Sequence, residues 1–185
     1  LNIFSENRGL KFSIEKEISK SEKGKYWLVL IAINDYKYWN SLNNPVNDAK
    51  NLKKILEEKY YFTNSIELYN QNANKTGILK LFKKLVNEVE ADDSILIFYA
   101  GHGHLDFLNT ASWIPQDGGL DDERQDNWLP NSQVKSFLTS LNAKHIALIA
   151  DSCFSGDILE QSRGQITNEY IEKAFDRRSV QIMTS

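Results

Sequence analysis

Three apolar runs in this chain show neither polar alternation nor a breaker: Trp27-Leu28-Val29-Leu30-Ile31-Ala32-Ile33, Ile95-Leu96-Ile97-Phe98-Tyr99 and Ile146-Ala147-Leu148-Ile149. A strand with one wet face alternates, so strands that do not alternate are covered on both faces. The segments between the runs supply the cover. A helix is predicted from near Asn47 or Asp48 to about Lys59, with Ala49, Leu52, Ile55 and Leu56 as its apolar stripe. A second is predicted from about Lys75 to Glu90 on Ile78, Phe82, Leu85 and Val89, and a third from Asn131 to Leu141 on Val134, Phe137, Leu138 and Leu141. Ser65–Tyr69 reads as a short strand, Ala111–Pro115 as an extra one, and Val180–Met183 as a last one. The three long strands are placed at Tyr26–Asn34, Ser94–Tyr99 and His145–Ala150. This repeated β-α order predicts an α/β fold: a mostly parallel central sheet with helices on both faces.

At 185 residues the chain fits a single domain. A formal charge of −3 and a pI near 5.7 exclude a broad basic face, so nucleic acid is not an expected partner. Lys53-Lys54 and Lys83-Lys84 read as solvated helix faces. No apolar run approaches the roughly 20 residues of a bilayer span, and the stretch before Tyr26 is too polar for a signal peptide. No membrane association is expected, and the location read from this is cytoplasmic. One cysteine allows no internal disulfide, in agreement with a reducing compartment. The first residue is Leu1, not methionine, and Ser185 follows directly on a strand-like segment, so a piece of a longer protein, or a processed product, is expected.

In parallel sheets ligands bind in the crevice beyond the carboxyl ends of the strands. Two chemical groups fall there. The run 95–99 is followed by Ala100-Gly101-His102-Gly103, and the run 146–149 by Ala150-Asp151-Ser152-Cys153-Phe154-Ser155-Gly156. A lone cysteine is commonly a small buried hydrophobe, but Cys153 lies beyond its strand, in a turn, where apolar packing has little to offer. His102, between two glycines, has no helix or strand face to pack on, and the glycines would let a substrate backbone approach closely. A thiol and an imidazole so placed are a nucleophile and its base. His104 could join them as a metal ligand, but three ligands without a fourth group or outer support make a poor transition-metal site, and no metal is expected. His145 opens a strand and reads as structural. Tyr36, Tyr38 and Trp39 read as loop packing.

The segments Tyr99-Ala100-Gly101-His102-Gly103 and Asp151-Ser152-Cys153-Phe154-Ser155-Gly156 resemble the histidine and cysteine motifs of the caspase-like cysteine peptidases, in their metacaspase and bacterial branch. The histidine precedes the cysteine by about 50 residues, as in that family. The resemblance implies a caspase-like fold over 25–185, with 1–24 a polar N-terminal extension and the C-terminal portion of the fold absent. It makes Cys153 the nucleophile and His102 the group that manages the protons of the thiol and the leaving amine. The backbone N–H groups of Gly103 and Cys153 become the oxyanion hole. Asp151, two positions before the cysteine, and Asp48 in Asn47-Asp48-Ala49 match acidic residues of a primary pocket for Arg or Lys, with Ala100 where many metacaspases have serine. Against this, Asn47 or Asp48 could simply cap the first helix, and Asp151 could brace its own turn.

Metacaspases often bind calcium. Asp117 matches one ligand, but Asn131-Ser132 stands where an Asp-Asp pair belongs, and Asp121-Asp122-Glu123 would replace it only if the loop folds differently. No cofactor is therefore expected. Arg163, Arg177 and Arg178 are candidate self-processing points. The sequence thus predicts a thiol endopeptidase acting on protein or peptide substrates after basic residues, with room for additional domains or a regulatory partner. The rivals are an aspartate-specific caspase-like protease and an inactive caspase-like scaffold.

Overall fold

The structure, a computed structural model, describes residues 24–121, 123–152 and 179–184. Its centre is a five-stranded sheet formed by β1 (Tyr26–Ala32), β2 (Asn64–Tyr69), β3 (Ser94–Ala100), β7 (His145–Asp151) and β8 (Ser179–Thr184). The strand order is β2-β1-β3-β7-β8, and every pairing is parallel. The three runs without alternation are the three inner strands, which explains why they need apolar residues on both faces.

Helix α1 (Pro45–Lys59) covers one face, and α2 (Lys75–Glu88) and α3 (Asn131–Ser140) cover the other. Side chains alternate accordingly. Leu28, Leu30, Ala32, Phe98 and Ala100 pack towards α1 with Ala49, Leu52 and Leu56. Val29, Ile31, Ile97, Tyr99 and Leu148 pack towards α2 and α3, whose Phe82 and Phe137 rings stack 3.7 Å apart and parallel within 1°. Asn74 caps α2 by accepting from Gly77 N at 2.9 Å. Gly77 is required there, because a Cβ would lie 2.0 Å from the Asn72 carbonyl oxygen.

Two departures from the sequence expectation have physical causes. First, α1 starts at Pro45, not at Asn47 or Asp48; Asn44 is the N-cap residue, and it makes no side-chain capping bond. Proline at the first helical position gives up an N–H that has no partner inside the helix, so it starts a helix as readily as a polar cap. Second, the strand near 111 is the middle of a separate antiparallel sheet, β4 (Gly103–Leu105), β5 (Ala111–Trp113) and β6 (Leu129–Pro130). Strands of two or three residues are too short to show a period.

At the amino ends of the strands, Asp93 is 1% exposed and accepts from Lys25 N at 2.6 Å, Trp27 Nε1 at 2.9 Å and Glu90 N at 3.0 Å. Its carbonyl accepts from Lys144 N at 2.8 Å. One turn residue thereby fastens the starts of β1, β3 and β7. His145, read as structural, joins its ring Nδ1 to Ser179 Oγ at 2.9 Å and ties β8 to β7.

Candidate active site

The register of the inner strands sets the site. Ala32 pairs with Ala100, and Ala100 with Asp151, so β1, β3 and β7 end in one row. Bonds from Ile33 N to Ala100 O (3.0 Å) and from Gly101 N to Asp151 O (3.2 Å) carry the alignment past the strand ends. His102 lies two residues beyond Ala100, and Cys153 lies two residues beyond Asp151 in the sequence. Cys153 itself falls outside the described residues, as do Arg163, Arg177 and Arg178. The last described residue before it, Ser152, is buried.

His102 is held from several sides, contrary to the expectation that it has no face to pack on. Its imidazole rests against Tyr36 at a centroid distance of 4.6 Å and against Trp39 at 5.5 Å. Its Nε2 lies 2.8 Å from the carbonyl oxygen of Asn40. A carbonyl only accepts, so in the neutral ring Nε2 carries the proton and Nδ1 keeps a free lone pair. The peptide of His102 is engaged as well: its N–H donates to the Tyr36 hydroxyl at 2.7 Å, and its C=O accepts from the Tyr99 hydroxyl at 2.9 Å and from Ile114 N at 3.0 Å. Burial, the largest influence on both, pushes the pKa of Tyr36 and Tyr99 upward, so these hydroxyls stay protonated.

Tyr36 and Trp39, expected only to pack their loop, are thus in contact with the candidate base. Tyr38 is not; it is half exposed, with the Lys37 ammonium 4.9 Å above its ring. Gly101 also answers to a packing constraint. A Cβ there would lie 2.5 Å from the Tyr36 hydroxyl and 3.1 Å from that of Tyr99. Gly103 opens β4 opposite Trp113. His104 packs against Trp39 at 5.3 Å and Trp128 at 4.9 Å. Both indoles donate to the Gly119 carbonyl, at 2.9 and 2.7 Å respectively, which ties the loop after β1 to the loop after β5.

The two acidic candidates both stand on the α1 side of the sheet. Ala49 of α1 belongs to the same buried cluster as Ala32 and Ala100. Its neighbour Asp48 is exposed in the first turn of α1, and since Asn44 holds the cap position, capping does not account for it. Asp151 is the exposed last residue of β7, on the face that β7 turns towards α1, as the place of Ile149 in that cluster shows. Ala100 is buried, in the cluster that holds Ala49, and pairs with Asp151. Of the acidic residues discussed for calcium, Asp117 accepts from Lys75 N at 2.8 Å at the start of α2. Asp121 accepts from Glu123 N at 2.9 Å and Arg124 N at 3.2 Å within its own turn. Among the described residues no three His, Cys, Asp or Glu side chains come together as a metal site, and no helix is long and apolar enough to cross a membrane.

Comparison with known proteins adds the family. Residues 25–183 match Peptidase_C14, the caspase domain. The chain is 24% identical over 165 residues to metacaspase-4 of Arabidopsis thaliana, covering 80% of this chain and 38% of that protein. It is 25% identical over 158 residues to metacaspase-1 of Saccharomyces cerevisiae, covering 74% of this chain and 35% of that protein. It therefore spans little more than a third of the length of these relatives. A crystal structure of a Geobacter sulfurreducens protein superposes with a TM-score of 0.56 at 16% identity, over 70% of this chain and 50% of that one, which is a likeness of fold.

Proposed function

The chain belongs to the caspase-domain family of cysteine peptidases, and on that premise we propose that it is an endopeptidase in which Cys153 and His102 hydrolyse the bond after Arg or Lys. The observation that carries the reading is the pairing of Ala100 with Asp151. It starts the histidine and cysteine segments from adjacent, level strand ends, which in parallel sheets stand roughly 4.8 Å apart.

The chemistry follows from the tautomer of His102. With Nε2–H on the Asn40 carbonyl, Nδ1 is the atom that takes the Cys153 proton. The thiolate attacks the scissile carbonyl carbon, and its oxygen becomes an oxyanion at the backbone N–H groups of Gly103 and Cys153. The imidazolium returns its proton to the amine nitrogen as the C–N bond breaks, leaving a thioester. Water then gives a proton to Nδ1 and its oxygen to the acyl carbon, and the thiol is restored as the new carboxyl group departs. A thiol needs less activation than a hydroxyl, so a dyad suffices.

Basic specificity rests on Asp48 and Asp151 on the α1 side of the sheet, with Ala100, since two carboxylates suit a guanidinium or ammonium. Calcium has no step in this mechanism, and Asn131-Ser132 in place of an acidic pair supports independence of it. A cytoplasmic setting fits a nucleophile that must stay reduced. Self-processing at Arg163, Arg177 or Arg178 goes with the same specificity.

Fluorogenic peptides with Arg, Lys or Asp before the scissile bond test this. Turnover of the Arg and Lys peptides, lost in Cys153→Ala and unchanged by EDTA, is the expected result. Turnover of the Asp peptide alone would sink the pocket assignment, and a folded protein inert to all three would favour a scaffold. Intact masses of wild type and Cys153→Ala separate self-processing from its absence.

A further inference from the structure

We infer that Trp39 is a positioning residue for His102, and that its hold on the imidazole is set from the antiparallel sheet by His104, Trp128 and the Gly119 carbonyl. The inference rests on the peptidase reading for its kinetic consequence but not for its geometry.

His102 and His104 flank Gly103, and both imidazoles lie against the one indole of Trp39, at 5.5 and 5.3 Å. His104 and Trp39 each also meet Trp128, at 4.9 and 6.3 Å. Trp39, His104 and Trp128 thus form a closed triangle of rings, the three pairs inclined by 67°, 65° and 71°. Edge-to-face contacts of this kind are the arrangement that aromatic quadrupoles favour. The triangle gives His104, which the dyad does not use, a part: it backs the indole that touches the base.

Two hydrogen bonds lock the triangle. Trp39 Nε1 and Trp128 Nε1 both donate to the Gly119 carbonyl, at 2.9 and 2.7 Å, which one oxygen with two lone pairs accommodates. Gly119 is itself held, its N–H donating to Asp126 O at 2.8 Å. Trp128 is 1% exposed, so the lock is anchored in the core. Trp39 stands differently, between the exposed residues Tyr38 and Asn40. Between Lys37 N and Leu42 N its loop makes no backbone–backbone bond to a described residue, so the indole is the fastening there. The carbonyl on Nε2 of His102 belongs to the next residue, Asn40. Placing Trp39 therefore places both the ring against the imidazole and the atom that selects its tautomer.

The test uses the full chain and the variants Trp39→Phe, Trp128→Phe and the double variant. Phenylalanine keeps an aromatic ring and removes the N–H that reaches Gly119. Each single variant is expected to lower kcat about tenfold, since misplacing a reacting group by an ångström costs on the order of a hundredfold, with KM within about twofold. Trp128 is the discriminating position, because it meets Trp39 and His104 but has no ring contact with His102 among the described residues. The double variant is expected to fall about as far as Trp39→Phe alone, because Trp128 acts through Trp39. Long-range proton–nitrogen NMR should show His102 as the Nε2–H tautomer in wild type and as a mixture in both single variants, a change that a merely structural role would not produce. Full kcat in a folded single variant, or an unchanged tautomer, would overturn the inference. So would a double variant whose loss is the product of the single losses.

Should the variants not fold, wild type decides: indole N–H protons of Trp39 and Trp128 in slow exchange, with cross-peaks from the Trp39 ring to the rings of both His102 and His104, are expected, and their absence overturns it. A wild type inert to the peptides, with the tautomer present and lost in the variants, would sink the peptidase reading and leave the role of Trp39 standing.

Discussion

Replacing Asp93 by alanine should separate stability from the site, because Asp93 lies at the amino end of β3 and the histidine at its carboxyl end. Its carboxylate receives three donors, and they are not equivalent. Trp27 is 4% exposed and its indole N–H bonds to Asp93 at 2.9 Å, so alanine strands it in the core at a cost of about 2 kcal/mol. Lys25 N and Glu90 N, at 2.6 and 3.0 Å, are nearer solvent; water replaces much of what they lose, leaving about 1 kcal/mol each. The sum is about 4 kcal/mol, or a fall in Tm of roughly 8–16 °C for a domain of this size. Asparagine keeps one acceptor but turns an NH2 against a donor, and should cost about 2–3 kcal/mol. Urea unfolding followed by tryptophan fluorescence gives both values, and the His102 tautomer should be unchanged in each. A loss below about 1 kcal/mol for Asp93→Ala would refute the assignment of Asp93 as the pin of three strands.

Three further outcomes follow from the same structure. Phe137→Ala removes one ring of a parallel stack at 3.7 Å and should cost about 3–5 kcal/mol by chemical denaturation, with the double variant Phe82→Ala/Phe137→Ala less than additive. The carboxyl of Asp106 is held below its ordinary value, chiefly by the Thr110 N–H and also by that of Leu108. Its contribution is therefore complete above about pH 4 and lost as pH falls through the lowered value; Asp106→Asn should flatten that acid limb of Tm against pH and leave the neutral plateau parallel. Asn34→Ala removes bonds from Val46 N (2.9 Å) and to Asn43 O (3.2 Å). It should cost about 1–2 kcal/mol in urea unfolding and blur the His102 tautomer in NMR.

The inner strands were legible because burial on both faces leaves a continuous apolar run that nothing else in a chain of this charge needs. The helices were legible by period, except where Pro45 replaced a polar cap at the start of α1. The place of His102 just beyond the carboxyl end of β3 was legible because it follows such a run, and a parallel sheet collects strand ends. What surrounds His102 was not. Tyr99 reads as one more apolar residue of its strand, since its hydroxyl acts at the strand end while its ring is buried like a phenylalanine. Asn40 contributes only a carbonyl, which carries no side-chain signature. Asp93 sits in the polar turn Ala91-Asp92-Asp93, where a solvated aspartate is the ordinary reading, and only the fold shows which of the two is buried.

The loop between β1 and α1 is where these separate facts become one device. It leaves the sheet at Ile33 and is closed on itself by Asn34, whose side chain binds both Asn43 O and Val46 N and whose carbonyl accepts from Leu42 N at 2.9 Å. Lys37 N bonds to Gln116 O at 2.9 Å, and Trp39 reaches Gly119, so the loop is also fixed from outside. Between these fastenings it presents Tyr36, Trp39 and the Asn40 carbonyl to His102, and it ends in the helical turn that carries Asp48. The candidate base and one wall of the candidate pocket therefore hang from a single short connection. A change that displaces that connection as a whole should therefore reach both the setting of the imidazole and the start of α1, so that turnover rate and the preference for Arg over Asp peptides are expected to vary together among variants that loosen its Asn34 closure.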